Sequence, residues 1–172
     1  MSRAAAEAAI RRSLTSVRWL RASHQAGGRQ DRGFEPLERF YAENVSAQFA
    51  AGATPGKTRE PILSDELVKQ ARAFTDTAIL TICRFSGEDY DRTGQPHDGD
   101  YFLSFEEEHM VKKVLAAFPR VAVVLNTGGM MDTLWFRNNP AVGAALLAWQ
   151  GGMEGGLAAA DILVGDVCPP AI

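Results

Sequence analysis

Three apolar runs without a single charge, TAILTIC (77–83), VAVVLN (121–126) and VGAALLAW (142–149), constrain this chain more than any other feature. Each is too short for a buried helix, and the first two are rich in β-branched residues, so all three read as strands. None alternates with polar residues, which is the pattern of strands covered on both faces. Between them the spacing is helical. SFEEEHMVKKVLAAF opens on Ser104 with Glu107 three residues on, a capping box, and brings Met110, Val111, Val114, Leu115 and Phe118 to one side before Pro119 ends it.

Upstream, FEPLERFYAENVSAQF places Phe34, Leu37, Phe40, Tyr41, Val45 and Phe49 near helical spacing, and AGATPGKTREP breaks it. A further helix is expected after the cap Ser64, with Asp65 and Glu66 in its positive first turn and Leu67, Val68, Ala71 and Phe74 turned inward. GGLAAADILVG supplies a last one. Helix and strand alternate, which predicts an α/β fold: a three-layer αβα sandwich around a mostly parallel sheet. With 172 residues, 46% of them hydrophobic, there is length for one domain. Residues 33–172 are expected to form it. Residues 1–32, rich in Arg, Ala and Ser, stand apart and are expected to be a lone helix or a disordered tail.

Composition narrows the function. The net charge of −3 comes from interspersed signs, without the basic stripe of a nucleic-acid binder. No run approaches the roughly 18 apolar residues of a membrane span, and no secretory leader is evident, so a soluble, cytoplasmic protein is expected. The two cysteines, Cys83 and Cys168, and the three histidines show no metal-ligand spacing. Neither a metal nor an organic cofactor is expected. GGMEGG lacks the dinucleotide-binding spacing, no phosphate loop follows the first strand, and no GxSxG elbow is present.

Right-handed crossovers bring the carboxyl ends of parallel strands to one edge, where ligands of open α/β sheets bind. Three loops should therefore converge: RFSGEDYDR after the first run, NTGGMMDTLWF after the second and WQGGMEGG after the third. Glu88 sits beside a glycine in the first. Carboxylates, amides and aromatic rings gathered in this way suit a sugar.

Several separated motifs, LSDELVKQA, CRFSGEDYDR, GDYFLSFEEEHMVKKV, VVLNTGGMMDTLWF and LLAWQGGMEGGLAAADILVGDV, resemble in order the carboxyl-terminal α/β sandwich domain of glycoside hydrolase family 3, the β-glucosidase type. The likeness spans roughly residues 33–167. It implies that Glu88 is the general acid/base, and from the three loops and their strand ends Arg84, Asp91, Arg92, Asn126, Trp149 and Glu154 are expected to contribute to a glycoside-binding pocket. Where the family pattern has a second glycine, this chain has Asp89. The resemblance also implies a partner, a (β/α) barrel domain carrying the nucleophilic aspartate, to which nothing in these 172 residues corresponds. On this reading the chain is an incomplete member, a fragment, hydrolytically inactive alone. The alternative is a non-catalytic α/β module that binds a sugar or a partner domain.

Overall fold

The computed structural model describes residues 16–21, 32–53, 58–84, 91–151 and 155–169. Ten elements follow in chain order: β1 (Ser16–Arg21), β2 (Arg32–Gly33), α1 (Glu35–Ala50), α2 (Asp65–Phe74), β3 (Thr77–Arg84), α3 (Phe105–Ala117), β4 (Arg120–Thr127), α4 (Leu134–Arg137), β5 (Val142–Leu147) and α5 (Gly155–Val164). One five-stranded sheet has the order β2-β1-β3-β4-β5. β3, β4 and β5 are parallel, and β1 runs antiparallel to both β2 and β3. This is the expected αβα sandwich on a mostly parallel sheet.

The local chemistry explains where helices begin. Ser64 Oγ accepts from the Leu67 amide at the start of α2. At α3 the box is complete: Ser104 Oγ accepts from the Glu107 amide, and the Glu107 carboxylate accepts from the Ser104 amide. α1 instead begins with Pro36 in its first turn, whose missing N–H costs nothing there.

The register sets Ala78, Leu80, Ile82 and Arg84 of β3 beside Val121, Val123, Leu125 and Thr127 of β4 on one face. All eight are buried. Against that face α1 brings Leu37 and Tyr41, α2 brings Val68 and Ala71, and α3 brings Met110, Val111 and Val114, forming one hydrophobic cluster. Val124 and Ala160 are buried outside it, one on the opposite face of β4 and one on α5.

Within residues 1–32 the described stretch Ser16–Arg21 differs from expectation. Ser16–Arg21 is a strand, not part of a lone helix or a disordered tail. Its signal was weak because SVRWLR is only six residues long and interrupts its apolar positions with Arg18 and Arg21. It gains its hydrogen bonds from β3, a partner some 60 residues away in sequence, which local pattern cannot reveal.

Candidate active site at the carboxyl edge of the sheet

β3 ends in a buried charge. The Arg84 guanidinium donates from Nε to the Asp100 carbonyl (2.7 Å), from Nη1 to the Cys83 carbonyl (2.8 Å) and Glu107 Oε1 (2.7 Å), and from Nη2 to the Phe102 carbonyl (3.2 Å) and Glu107 Oε2 (2.8 Å). An arginine has five N–H donors, and all five are used. The side chain is 4% exposed and Glu107 13%. The expectation that Arg84 binds substrate therefore meets a guanidinium with no donor left: it fastens the end of β3 to the amino end of α3.

Arg92 makes the next tie. Its Nη1 donates to Asp100 Oδ1 (2.8 Å) and its Nη2 to Thr127 Oγ1 (2.9 Å), the last residue of β4. The same hydroxyl donates to the Gly129 carbonyl (2.9 Å). A Cβ built on Gly129 would stand 2.8 Å from Arg92 Nε, so glycine is what allows this approach. Asp100 Oδ2 accepts from the Thr93 amide (2.6 Å), and Asp98 accepts from the Thr93 hydroxyl, which holds the Asp98 carboxyl below the usual range. His97, in the left-handed region at φ 65°, pairs through Nδ1 with Glu108 of α3 (2.8 Å). The loop after β3 is thus tied to both α3 and β4.

The loop after β5 closes on the same edge. The Ala148 amide donates to the Leu125 carbonyl of β4 (2.8 Å). Gln150 packs on Gly128, where an added Cβ would meet its amide group at 2.7 Å. Between them Trp149 has φ 52°, an uncommon conformation for a residue with a Cβ, and the residue is about half exposed. A half-exposed tryptophan on a strained backbone at this edge suits stacking on a ligand. The described parts of the loops after β3 and β5 therefore both reach the loop after β4.

Of the other sequence-derived site residues, Asn126 lies on β4 on the face opposite the core, level with Cys83. Burial pushes the Cys83 thiol up to about 11, with Asn126 hydrogen-bonding to it as a smaller, opposing influence. Asp91 is exposed, immediately before Arg92. Glu88 and Glu154 lie outside the described residues. Among the described residues no group of three His, Cys, Asp or Glu side chains is placed to hold a metal ion. No described helix is long and apolar enough to cross a membrane.

Sequence reasoning missed Asp100 and Thr127 altogether, and saw Glu107 only as a cap. The capping box was visible because it is local. The Arg84–Glu107 and Arg92–Thr127 pairs join residues 23 and 35 positions apart, and no spacing rule predicts them.

This fold and loop arrangement has relatives. The model of the glycosyl hydrolase family 3 C-terminal domain matches residues 5–171. The chain belongs to this family. The match begins well before residue 33, so the amino-terminal segment set apart on composition is part of the family 3 pattern, as β1 is part of the sheet.

Beta-glucosidase A of Butyrivibrio fibrisolvens is 42% identical over 156 residues, covering 79% of this chain and 19% of its own. A beta-glucosidase of Ruminococcus albus is 36% identical over 118 residues, covering 69% of this chain and 12% of its own. Among solved structures, a beta-glucosidase from Paenibacillus barengoltzii superposes with a TM-score of 0.69 at 33% identity, over 78% of this chain and 15% of its own. Beta-glucosidase 3B from Thermotoga neapolitana, in complex with glycerol, gives 0.67 at 30% identity, over 77% and 19%. The family 3 domain described here thus spans a fifth or less of the length of these relatives.

Proposed function

We propose that this family 3 domain supplies the general acid/base of a β-glucosidase-like glycoside hydrolase site, with Glu88 in that role, and that the nucleophilic carboxylate comes from a barrel domain outside these residues. The observation that supports the reading best is the coincidence of two facts. The chain is 42% identical to a beta-glucosidase, and the loop leaving β3, which carries Glu88, leaves from the edge where the loops after β4 and β5 gather.

The chemistry is that of two carboxyl groups. In a retaining enzyme they stand roughly 5 to 5.5 Å apart. The Glu88 carboxyl gives its proton to the glycosidic oxygen as the bond from that oxygen to the anomeric carbon breaks, while the second carboxylate attacks the carbon. The Glu88 carboxylate then takes a proton from the water that releases the sugar. Acting as an acid near neutral pH needs a glutamate raised from its ordinary value near 4.3, and a second domain closing over the edge would do this by excluding water.

Around the sugar, Asp91, Asn126 and Glu154 are proposed as hydroxyl partners and Trp149 as the stacking platform, with Arg92 shaping the pocket wall. Arg84 is left out of contact with substrate because its donors are used. A soluble, cytoplasmic setting accompanies the proposal, and cell fractionation tests it.

The experiment is hydrolysis of p-nitrophenyl β-glucoside by the purified chain, alone and mixed with a separately expressed barrel domain from a family 3 enzyme. Turnover only in the mixture, abolished by Glu88→Gln, is the expected result. Turnover by the chain alone would mean that it carries its own nucleophile. Sugar binding unchanged by Glu88→Gln, with no turnover in the mixture, would favour a non-catalytic binding module.

A further inference from the structure

We infer that the groove between α3 and the β4-to-β5 crossover is a binding site for a neutral aromatic molecule bearing a hydroxyl group, a phenolic compound, and that it is separate from the sugar pocket proposed above. A parallel crossover ordinarily carries a helix that covers the sheet. Residues 128–141 carry only the four-residue α4. One flank of α3 therefore lines a cavity of about 520 Å³. That volume falls within the roughly 300–1,000 Å³ of small-molecule sites.

The α3 flank is Glu108, Val111, Lys112 and Leu115, the spacing of one helix face. Phe102 and Trp135 add aromatic rings, and Leu103 and Val111 are buried hydrocarbon at its base. The backbone on both sides is held by hydrogen bonds. Trp135 Nε1 donates to the Asp132 carbonyl (3.0 Å), and the Asp132 amide donates to the Tyr101 carbonyl (2.9 Å). Next to Tyr101, the Phe102 carbonyl accepts from Arg84 Nη2 (3.2 Å). The start of α4 is thereby tied to the segment that leads into α3.

The polar groups of the cavity select the ligand. The Glu108 side chain is 28% exposed and that of Lys112 75%, so the charge nearer a sheltered ligand is a carboxylate, which disfavours an anion. Glu108 is already paired with Lys112 (3.4 Å) and His97 (2.8 Å), which leaves little attraction for a further cation. A sugar would have to bury hydroxyls against Leu103, Val111 and Leu115, which offer no hydrogen bond in return. A flat ring with a hydroxyl group meets neither cost. The ring packs with Phe102 and Trp135, and the hydroxyl donates to a carboxylate. Asn139 Oδ1 accepts from the Ala141 amide (3.0 Å), so its Nδ2 is the group left to donate to the ligand.

The test is titration of the purified chain with 2-naphthol near neutral pH, where this phenol keeps its proton, followed by 1H–15N spectra of the tryptophan indoles. The Trp135 resonance should move and that of Trp149 should not. Ala116 borders the cavity at an exposed position of α3, so Ala116→Phe and Ala116→Glu should obstruct it without unfolding the chain. Each is expected to weaken binding about tenfold, the scale of a lost aromatic contact. 2-Naphthoate, with a carboxylate in place of the hydroxyl, should bind more weakly than 2-naphthol. An unmoved Trp135 resonance, or equal affinity in wild type and both folded variants, would overturn the inference. Tighter binding of 2-naphthoate would make the groove an anion site, and displacement of 2-naphthol by glucose a second sugar site, and either would overturn it as well. None of these outcomes depends on the role of Glu88.

Discussion

Arg84 occupies a place where the alternation of β3 calls for a hydrocarbon. Its neighbours on that face, Ala78, Leu80 and Ile82, are apolar, and the charge is tolerated because a carboxylate and three carbonyls take every donor. Removing one partner leaves the other buried and unpaired, which costs about 3–5 kcal/mol. Urea unfolding of Arg84→Met and of Glu107→Gln should each show a loss of that size, more than the pair is worth as a unit. Cys83, beside it, makes an alkaline prediction. Its thiol is pushed up to about 11 from its ordinary value of 9.0, mainly by burial. Between those values the unfolded chain has lost the proton and the folded one keeps it, so folding takes up a proton there and stability falls as pH rises. The contribution is complete below about pH 9 and lost through about 11. Cys83→Ala should flatten this part of the stability–pH curve, and iodoacetamide at pH 8 should label the exposed Cys168 before Cys83.

At the scale of elements, α3 does more than cover the sheet. Its cap residue Ser104 and its third residue Glu107 satisfy each other, and the same Glu107 carboxylate receives Arg84. Ser104→Ala should cost about 1 kcal/mol as an N-cap loss. Combined with Glu107→Gln it should be clearly non-additive, because the two changes share one network. Denaturant melts of the single and double variants check this. The loop after β5 makes a different point. Gly151 stands so that an added Cβ would meet the Gly155 Cα at 2.7 Å, backbone against backbone, with no flexible side chain to give way. Gly151→Ala should therefore disturb the loop after β5, whereas Gly128→Ala, which faces only the end of Gln150, should be milder. Comparing the intrinsic fluorescence and melting of the two variants measures the difference.

For the whole molecule, the sheet's last strand is the weak border. β5 pairs with β4 on one side, and Gly143, Ala144 and Ala145 are exposed, in a strand with no charge to deter another chain. Such edges invite pairing between molecules. Ala145→Lys should reduce concentration-dependent association, seen by sedimentation velocity, with the melting temperature within about 2 °C because an exposed substitution of this kind changes stability little. The α/β class, the order of α1, α2, α3 and α5 and the meeting of the described parts of the loops were legible in the sequence, because each follows from local periodicity, caps and the handedness of crossovers, whereas the single turn α4 lies in a stretch that reads as loop. The motifs from LSDELVKQA to GDV carried the family, and the matched residues extend that likeness back to residue 5. β1 was not legible, since its reason for being a strand is β3. Nor was the division of labour among charged residues at the edge. Sequence alone placed Arg84 and Arg92 beside Glu88 as equals. Only the folded chain, by bringing Asp100, Glu107 and Thr127 within hydrogen-bond distance, decided that one is wholly engaged by the scaffold and the other bridges two loops, because hydrogen-bond partners are set by distance in space and not by spacing along the chain.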